Sequence, residues 1–173
     1  FFVLRGRGTT GTGELTAAQK ANQAARDAEP TDYTALGEES PMAQFMSSYQ
    51  LGDDLFDESF SIDSPAGEFL GECGVSISET IGVGEPKKAT ALEVWVFDKN
   101  DIRTITKVIM SDHAFFDDAL KTKLAPKGEP VLARESETIV LETATLIINA
   151  EITELDYGAA GDLPDASYFE RFT

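Results

Sequence analysis

Residues 89–110, ATALEVWVFDKNDIRTITKVIM, contain the clearest strand pattern in the chain. Apolar residues recur with period 2 on both sides of residues 98–101 (DKND), whose composition is typical of a hairpin connection. In the first strand, Leu92, Val94 and Val96 share one face, whereas Trp95 and Phe97 share the other. Because both faces carry large apolar side chains, we predict a central strand in which Trp95 is mostly buried.

Alternating patterns also occur on both sides of this hairpin. They predict further strands at residues 56–62, 68–79, 130–133, 138–141 and 144–155. In the second of these, Gly71 and Gly74 indicate a bulge or close backbone packing. Ser111 and Asp112 predict the cap of one short crossover helix over residues 113–125. About seven strands and one helix predict a mainly β fold, an antiparallel β-sandwich or an open barrel.

The apolar positions of the strongest strands define the expected hydrophobic core. These positions are Phe60, Ile62, Phe69, Val75, Ile77, Leu92, Val94, Val96, Ile105, Leu146, Ile148 and Ile152.

Composition divides the chain into three segments. We predict a flexible N-terminal arm with short helices over residues 1–50, a β-sandwich domain over residues 51–158 and a C-terminal tail over residues 159–173. At the end of the arm, four apolar residues follow the i, i+3, i+4, i+7 spacing of one helix face. This face, which we expect to dock on the domain or on a neighbouring subunit, consists of Met42, Phe45, Met46 and Tyr49.

The first residues, FFVL, are followed by Arg5 and Arg7. An apolar stretch with a positive flank is typical of the end of a transmembrane helix, and the positive-inside rule would then place the domain on the cytoplasmic side. A processed terminus or the edge of a fragment fits these residues equally well. We therefore expect either a membrane attachment upstream of Phe1 or one of these two alternatives.

The composition excludes several classes of site. One cysteine and one histidine among 173 residues exclude a disulfide framework within the chain, a cysteine-based zinc cluster and a multi-histidine metal site. A net charge of −17 argues against a nucleic-acid partner. Residues 27–86 contain 14 acidic residues and no lysine or arginine. Their carboxylates need water, a divalent cation or a basic partner.

Two oxygen-rich clusters are candidate cation sites. Ca²⁺ takes six to eight oxygen ligands, and the first candidate site comprises Asp53, Asp54, Asp57 and Glu58. The spacing does not follow the EF-hand pattern. A second cluster consists of Asp98, Asn100 and Asp101. These residue types also occur in turns because their side chains hydrogen-bond to the turn backbone, so a structural role explains them equally well. No cofactor other than Ca²⁺ is predicted.

His113 is the one histidine of the chain and the only conventional candidate for a general base near neutral pH. Together with Asp112 and Asp117, it defines an alternative, a small hydrolase or ligand-binding enzyme, although the chain has no Gly-x-Ser-x-Gly motif. Cys73 lies on the apolar side of a predicted strand, among acidic residues, and is interpreted as a packing residue.

These observations predict a non-enzymatic protein-binding or assembly domain, an accessory or structural subunit on a flexible arm. Three observations support this prediction: the chain has few candidate catalytic residues, its N-terminal arm is long, and its acidic segment contains no basic residue. Two alternatives stay open. One is the enzyme centred on His113, and the other is a subunit that polymerises by adding its arm to the next copy.

Overall fold

In a computed structural model of the chain, the residues described are Lys20 and residues 40–173. The prediction of a mainly β fold is confirmed. Residues 40–173 form the strands β1 (Tyr49–Gln50), β2 (Asp57–Asp63), β3 (Phe69–Ile81), β4 (Lys88–Asp98), β5 (Arg103–Met110), β6 (Glu129–Leu132), β7 (Thr138–Glu142), β8 (Ile147–Glu151), β9 (Leu155–Tyr157) and β10 (Phe169–Phe172), with the helices α1 (Asp112–Phe116) and α2 (Asp118–Leu124).

The largest sheet has five strands in the order β2-β3-β4-β5-β6. Strands β2 to β5 are antiparallel neighbours, and β4 is the central strand, as predicted. The last strand, β6, pairs with β5 in parallel, because α1 and α2 carry the chain back before β6 begins. The sheet is therefore mixed, where the sequence predicted only antiparallel pairing.

The predicted crossover helix is present as two short helices. Asp117 is extended (φ −91°, ψ 110°) and ends α1, and its side chain then caps α2 by accepting a hydrogen bond from the Leu120 N–H at 2.9 Å. The Ser111 hydroxyl caps α1 by accepting from the Ala114 N–H at 3.1 Å. The prediction of a cap at Ser111 is confirmed, whereas that of one continuous helix is wrong.

Two smaller sheets complete the fold, one with the order β1-β10-β9 and one formed by β7 and β8. The prediction of one strand over residues 144–155 is wrong, because the chain changes partner inside it. Strand β8 pairs with β7, after which the N–H groups of Thr153 and Glu154 donate to the Thr173 carbonyl oxygen and β9 pairs with β10. Apolar alternation continues across this change, so the sequence pattern did not reveal it.

The inner face of the large sheet shares one hydrophobic core with the smaller sheets. Of the predicted core, Ile62, Leu92, Val94, Val96, Leu146 and Ile152 are buried, and Phe60, Val75, Ile77, Ile105 and Ile148 pack against them. Phe69 is 39% exposed at the start of β3, so its assignment to the core is wrong. Tyr49, Phe169 and Phe172 are buried core residues that the sequence did not predict.

Residues 41–48 are not helical, so the predicted helix over residues 41–49 is wrong. This segment runs antiparallel to β2. The Phe45 ring stacks on Phe60 at 4.9 Å, the Ser47 hydroxyl donates to the Glu58 carboxylate at 2.8 Å, and the Tyr49 ring meets Phe56 edge-on at 5.5 Å. Contacts at every second residue are those of an extended chain, so the helical spacing of the apolar residues was coincidental.

Strands β1 and β10 lie in segments predicted as arm and tail, and they pair with each other, Tyr49 opposite Phe172. The Ser48 and Thr173 hydroxyls also lie 2.9 Å apart. Most of the predicted arm, including residues 9–13 and Arg5, lies outside the described residues.

Candidate functional site: an open face of the large sheet

The helices cover only one end of the outer face of the five-stranded sheet. Ala91, Val108 and Met110 lie on this face and form a second buried cluster with Ala114 and Leu124 of the two helices. Farther along β4, Trp95 and Phe97 point to the same side but belong to neither hydrophobic cluster. Both are only partly exposed. Trp95 is therefore mostly buried, as predicted, but its neighbours in the sheet cover it and it does not join the cluster beneath the helices.

Strand register arranges this uncovered area into cross-strand rows. Residues directly opposite each other on neighbouring strands share a face of the sheet. One row is Ser59, Gly74, Trp95 and Thr106, and the next is Ser61, Glu72, Phe97 and Thr104. We call these eight residues the open face. A third row, Asp57, Ser76, Glu93 and Val108, borders it on the side of the helices.

The Trp95 indole lies across Gly74. A Cβ atom built on Gly74 would be 2.6 Å from Cζ2 of Trp95 and 2.6 Å from the Glu58 carbonyl oxygen. These distances are shorter than any van der Waals contact, so only glycine permits this approach. The close packing predicted at Gly71 and Gly74 is confirmed. Glycine at this position therefore lets the indole pack directly against the backbone of β3.

The three rows carry acidic side chains and no basic one. Glu93 accepts a hydrogen bond from the Ser76 hydroxyl at 3.3 Å and lies 4.0 Å from the Lys127 ammonium group. By contrast, the carboxylates of Asp57 and Glu72 make no ion pair or hydrogen bond within the described part of the chain. The open face is thus a half-buried aromatic pair beside an uncompensated carboxylate.

The four predicted Ca²⁺ ligands are divided by the start of β2. Strand alternation sends Asp57 to the outer side and Glu58 to the inner side, where Glu58 accepts from Ser47. Asp54 accepts from the Lys87 N–H at 3.0 Å. Burial, with the nearby charges of Glu58 and Asp54, raises the pKa of Asp53. Within residues 40–173, no three acidic, histidine or cysteine side chains form a group that could hold a metal ion, and the Ca²⁺ site stays a prediction.

The predicted docking residues do not form one face. Tyr49 is 1% exposed in the core, and Phe45 rests on Phe60. Met42 and Met46 are exposed on the surface of the extended segment. Of the four predicted docking residues, a partner that binds this segment would therefore contact the two methionines and part of the Phe45 ring.

The residues predicted to act with His113 form hydrogen bonds that stabilise the fold. The Asp112 N–H donates to the Tyr157 hydroxyl at 3.0 Å, and the Asp117 carboxylate caps α2. The His113 N–H donates to the Ala166 carbonyl oxygen at 3.1 Å, while its imidazole makes no hydrogen bond or ion pair to any residue that the structure describes. The described residues therefore give His113 neither a nucleophile nor an orienting acid.

Cys73 is buried on the inner face, cross-strand from Phe60 and Val96. Burial, with a smaller contribution from the Glu72 charge, raises the pKa of the Cys73 thiol to about 11. A thiol with this pKa is protonated at neutral pH and does not act as a nucleophile.

Asp98 is a buried carboxylate that joins two loops. It accepts hydrogen bonds from the Asn100 and Asp101 N–H groups and from the hydroxyls of Thr143 (2.6 Å) and Thr145 (2.7 Å). Burial alone would raise the pKa of Asp98, but these hydrogen bonds outweigh burial and hold the pKa well below its usual range. The oxygen-rich turn therefore has a structural role in fixing the β4–β5 turn to residues 143–146.

Sequence reasoning missed the open face because large residues on both sides of β4 indicated two covered faces. The signal that reveals the face lies in the neighbouring strands. The outward positions of β2 are Asp57, Ser59 and Ser61, and Gly74 and Thr106 flank Trp95. Small polar neighbours across the strands are typical of a face that meets solvent.

No protein-family model matches this chain, and no curated protein or solved structure matches it at a significant level. Among the described residues, the helices are all too short to cross a membrane.

Proposed function

We propose that this chain is a non-enzymatic protein-binding domain whose binding surface is the open face. The observation that carries this proposal is the position of Trp95 and Phe97 outside both hydrophobic clusters. The large apolar residues on the other side of β4 pack into the main core, whereas these two lie partly exposed in a ring of serine, threonine and glutamate. Aromatic residues at the centre of a polar rim are typical of the residues that dominate protein–protein binding energy.

The rigidity of the surrounding sheet supports a binding role. The open face lies on the four antiparallel strands β2 to β5, and the inner side of these strands is fixed by the main core. Trp95 and Phe97 therefore lie on a backbone that is already fixed in the free protein, which reduces the conformational entropy lost on association. A hydrolase centred on His113 receives no comparable support, because its imidazole has no partner among the described residues.

Site-specific photocrosslinking in the native host tests the proposal. The full chain would carry a benzophenone amino acid at Thr104, which is exposed on the open face, or at Asn149, which is exposed on β8. We expect one polypeptide to crosslink at position 104 and not at position 149, and Trp95→Ala to abolish this crosslink. The identified polypeptide, purified, should then bind the wild-type chain saturably with fixed stoichiometry.

Equal crosslinking from both positions, or a purified pair that does not bind, would contradict the proposal. Sedimentation of the full chain separates the polymerising alternative, because self-assembly makes the average mass grow with concentration and leaves the chain itself as the crosslinked species.

A further inference from the structure

We infer that the open face binds an extended, arginine-bearing segment of a partner protein. This inference rests on the proposed function and specifies the chemistry of the partner. It depends on three features of the open face: its charge, the position of its aromatic rings and its dimensions.

The charge of the face favours a cation. Residues 57–81, which form β2, β3 and their connection, contain six acidic residues and no basic one. Of these, Glu79 is compensated by Lys123 at 2.6 Å, whereas Asp57 and Glu72 have no partner among the described residues. A basic segment would supply the missing counter-charge, and the excess of acids would speed its association.

The rings lie where one guanidinium group could both stack on an aromatic ring and form an ion pair with the Glu72 carboxylate. Glu72 is directly cross-strand from Phe97, and Trp95 follows two residues away on the same face. A planar cation stacked on the indole is attracted by the ring and reaches the adjacent carboxylate. Arginine suits this position better than lysine, because its guanidinium is planar, weakly hydrated and able to bind a carboxylate through two hydrogen bonds.

The dimensions of the face suit a short extended peptide. Four neighbouring strands span about 14 Å at the usual strand spacing of roughly 4.8 Å, a distance that about four extended residues cover. The helices and the loop before β6 bound the face on one side. There Gly128 packs directly on the Thr106 backbone, and Lys127 donates to the Ser78 carbonyl oxygen at 2.5 Å.

Fluorescence anisotropy with the full chain and labelled hexapeptides tests the inference. The probes are Gly-Arg-Gly-Arg-Gly-Arg and its lysine and glutamine versions, each in 50 mM NaCl. We expect the arginine peptide to bind most tightly and the glutamine peptide at least about tenfold more weakly. Rising salt should weaken the binding by screening.

Three variants separate specific binding from general attraction to an acidic protein. Trp95→Ala leaves the charge unchanged and should weaken binding of the arginine peptide about tenfold, as loss of a central aromatic does. Glu72→Gln should weaken it about fivefold. Glu151→Gln removes the same charge at an exposed position of β8 and should change the affinity less than about twofold.

Equal affinity for the arginine and glutamine peptides, or equal losses in Glu72→Gln and Glu151→Gln, would overturn the inference. Binding of a neutral oligosaccharide that depends on Trp95 would also overturn it. The same holds if a peptide of residues 1–26 binds more tightly than the arginine hexapeptide and the chain assembles as its concentration rises, because the occupant would then be a second copy of the chain. If the peptides fail while crosslinking identifies a partner at position 104, the proposed function stands and only the basic segment is wrong.

Discussion

At the scale of single residues, Trp95 and Leu92 have opposite roles on the same strand. Leu92 is completely buried on the inner face, whereas Trp95 is half-buried on the open face. We expect Leu92→Ala to lower the free energy of unfolding by about 2–5 kcal/mol. Trp95→Ala should cost only about 1–2 kcal/mol, because part of the indole is already in water and the ring belongs to neither hydrophobic cluster. Urea denaturation measures both, and a larger loss for Trp95→Ala would assign this residue to the core.

Cys73 provides a second prediction at this scale. Because burial raises the pKa of its thiol to about 11, the thiolate is scarce at pH 8 and lies beneath the sheet surface. Iodoacetamide should therefore leave the folded protein unmodified at pH 8 and alkylate one site in urea, as measured by intact mass. Rapid alkylation without denaturant would show that the inner face opens readily.

At the scale of structural elements, Asp98 connects the β4–β5 turn with residues 143–146. A carboxyl whose pKa is lowered by folding contributes stability that is present above its unfolded pKa of about 3.9 and is lost as the pH falls below it. Asp98→Asn should therefore lower the Tm at pH 7 and make the Tm depend less on pH below pH 4.

The matched control for this variant is Asp101→Asn. The Asp101 carboxylate accepts only a long contact of 3.4 Å from the Ala144 N–H, so its replacement should change the Tm little at either pH. Similar melting curves for the two variants would contradict a structural role for Asp98. The measurement is thermal unfolding followed by circular dichroism.

The elements also show what the sequence could predict. Strands β2 to β5 and β7 were predicted to within about two residues, because each has one buried face and a clear period of 2, as Leu92, Val94 and Val96 illustrate. Strands β1, β9 and β10 were missed. They have two to four residues, and their pairing of Tyr49 with Phe172 joins distant parts of the chain, which no local pattern reveals.

The candidate site was less predictable than the fold. The sequence located Trp95 and Phe97 on the second face of β4, but whether that face is covered depends on where the helices pack. Helices α1 and α2 reach Val108 and Met110 and stop short of Trp95. Helix length and crossover geometry decide this, and neither follows from the residues of β4 itself.

At the scale of the whole molecule, the excess of acids determines the response to pH. A side-chain hydrogen bond with Asp54, together with its charge, raises the pKa of Glu85, and burial raises that of Asp53. Groups with raised pKa values bind protons more readily in the folded state, so stability increases as the pH falls toward 5. Asp98 and Glu79 have lowered pKa values, and their contributions change only below about pH 4.

We therefore expect a higher Tm at pH 5 than at pH 7 at low ionic strength. The difference should shrink in Glu85→Gln and in high salt, because both reduce the repulsion among the carboxylates. A Tm that falls steeply between pH 7 and pH 5 would show that these carboxylates are paired with bases.

Acrylamide quenching of tryptophan fluorescence tests whether the open face is a binding surface. Trp95 is the single tryptophan of the chain, so its emission reports on this face alone. We predict substantial quenching in the free protein, below that of the urea-unfolded chain, and strong protection when the crosslinked partner is bound. An indole that is already protected in the free protein, or equally quenched with and without the partner, would contradict the account.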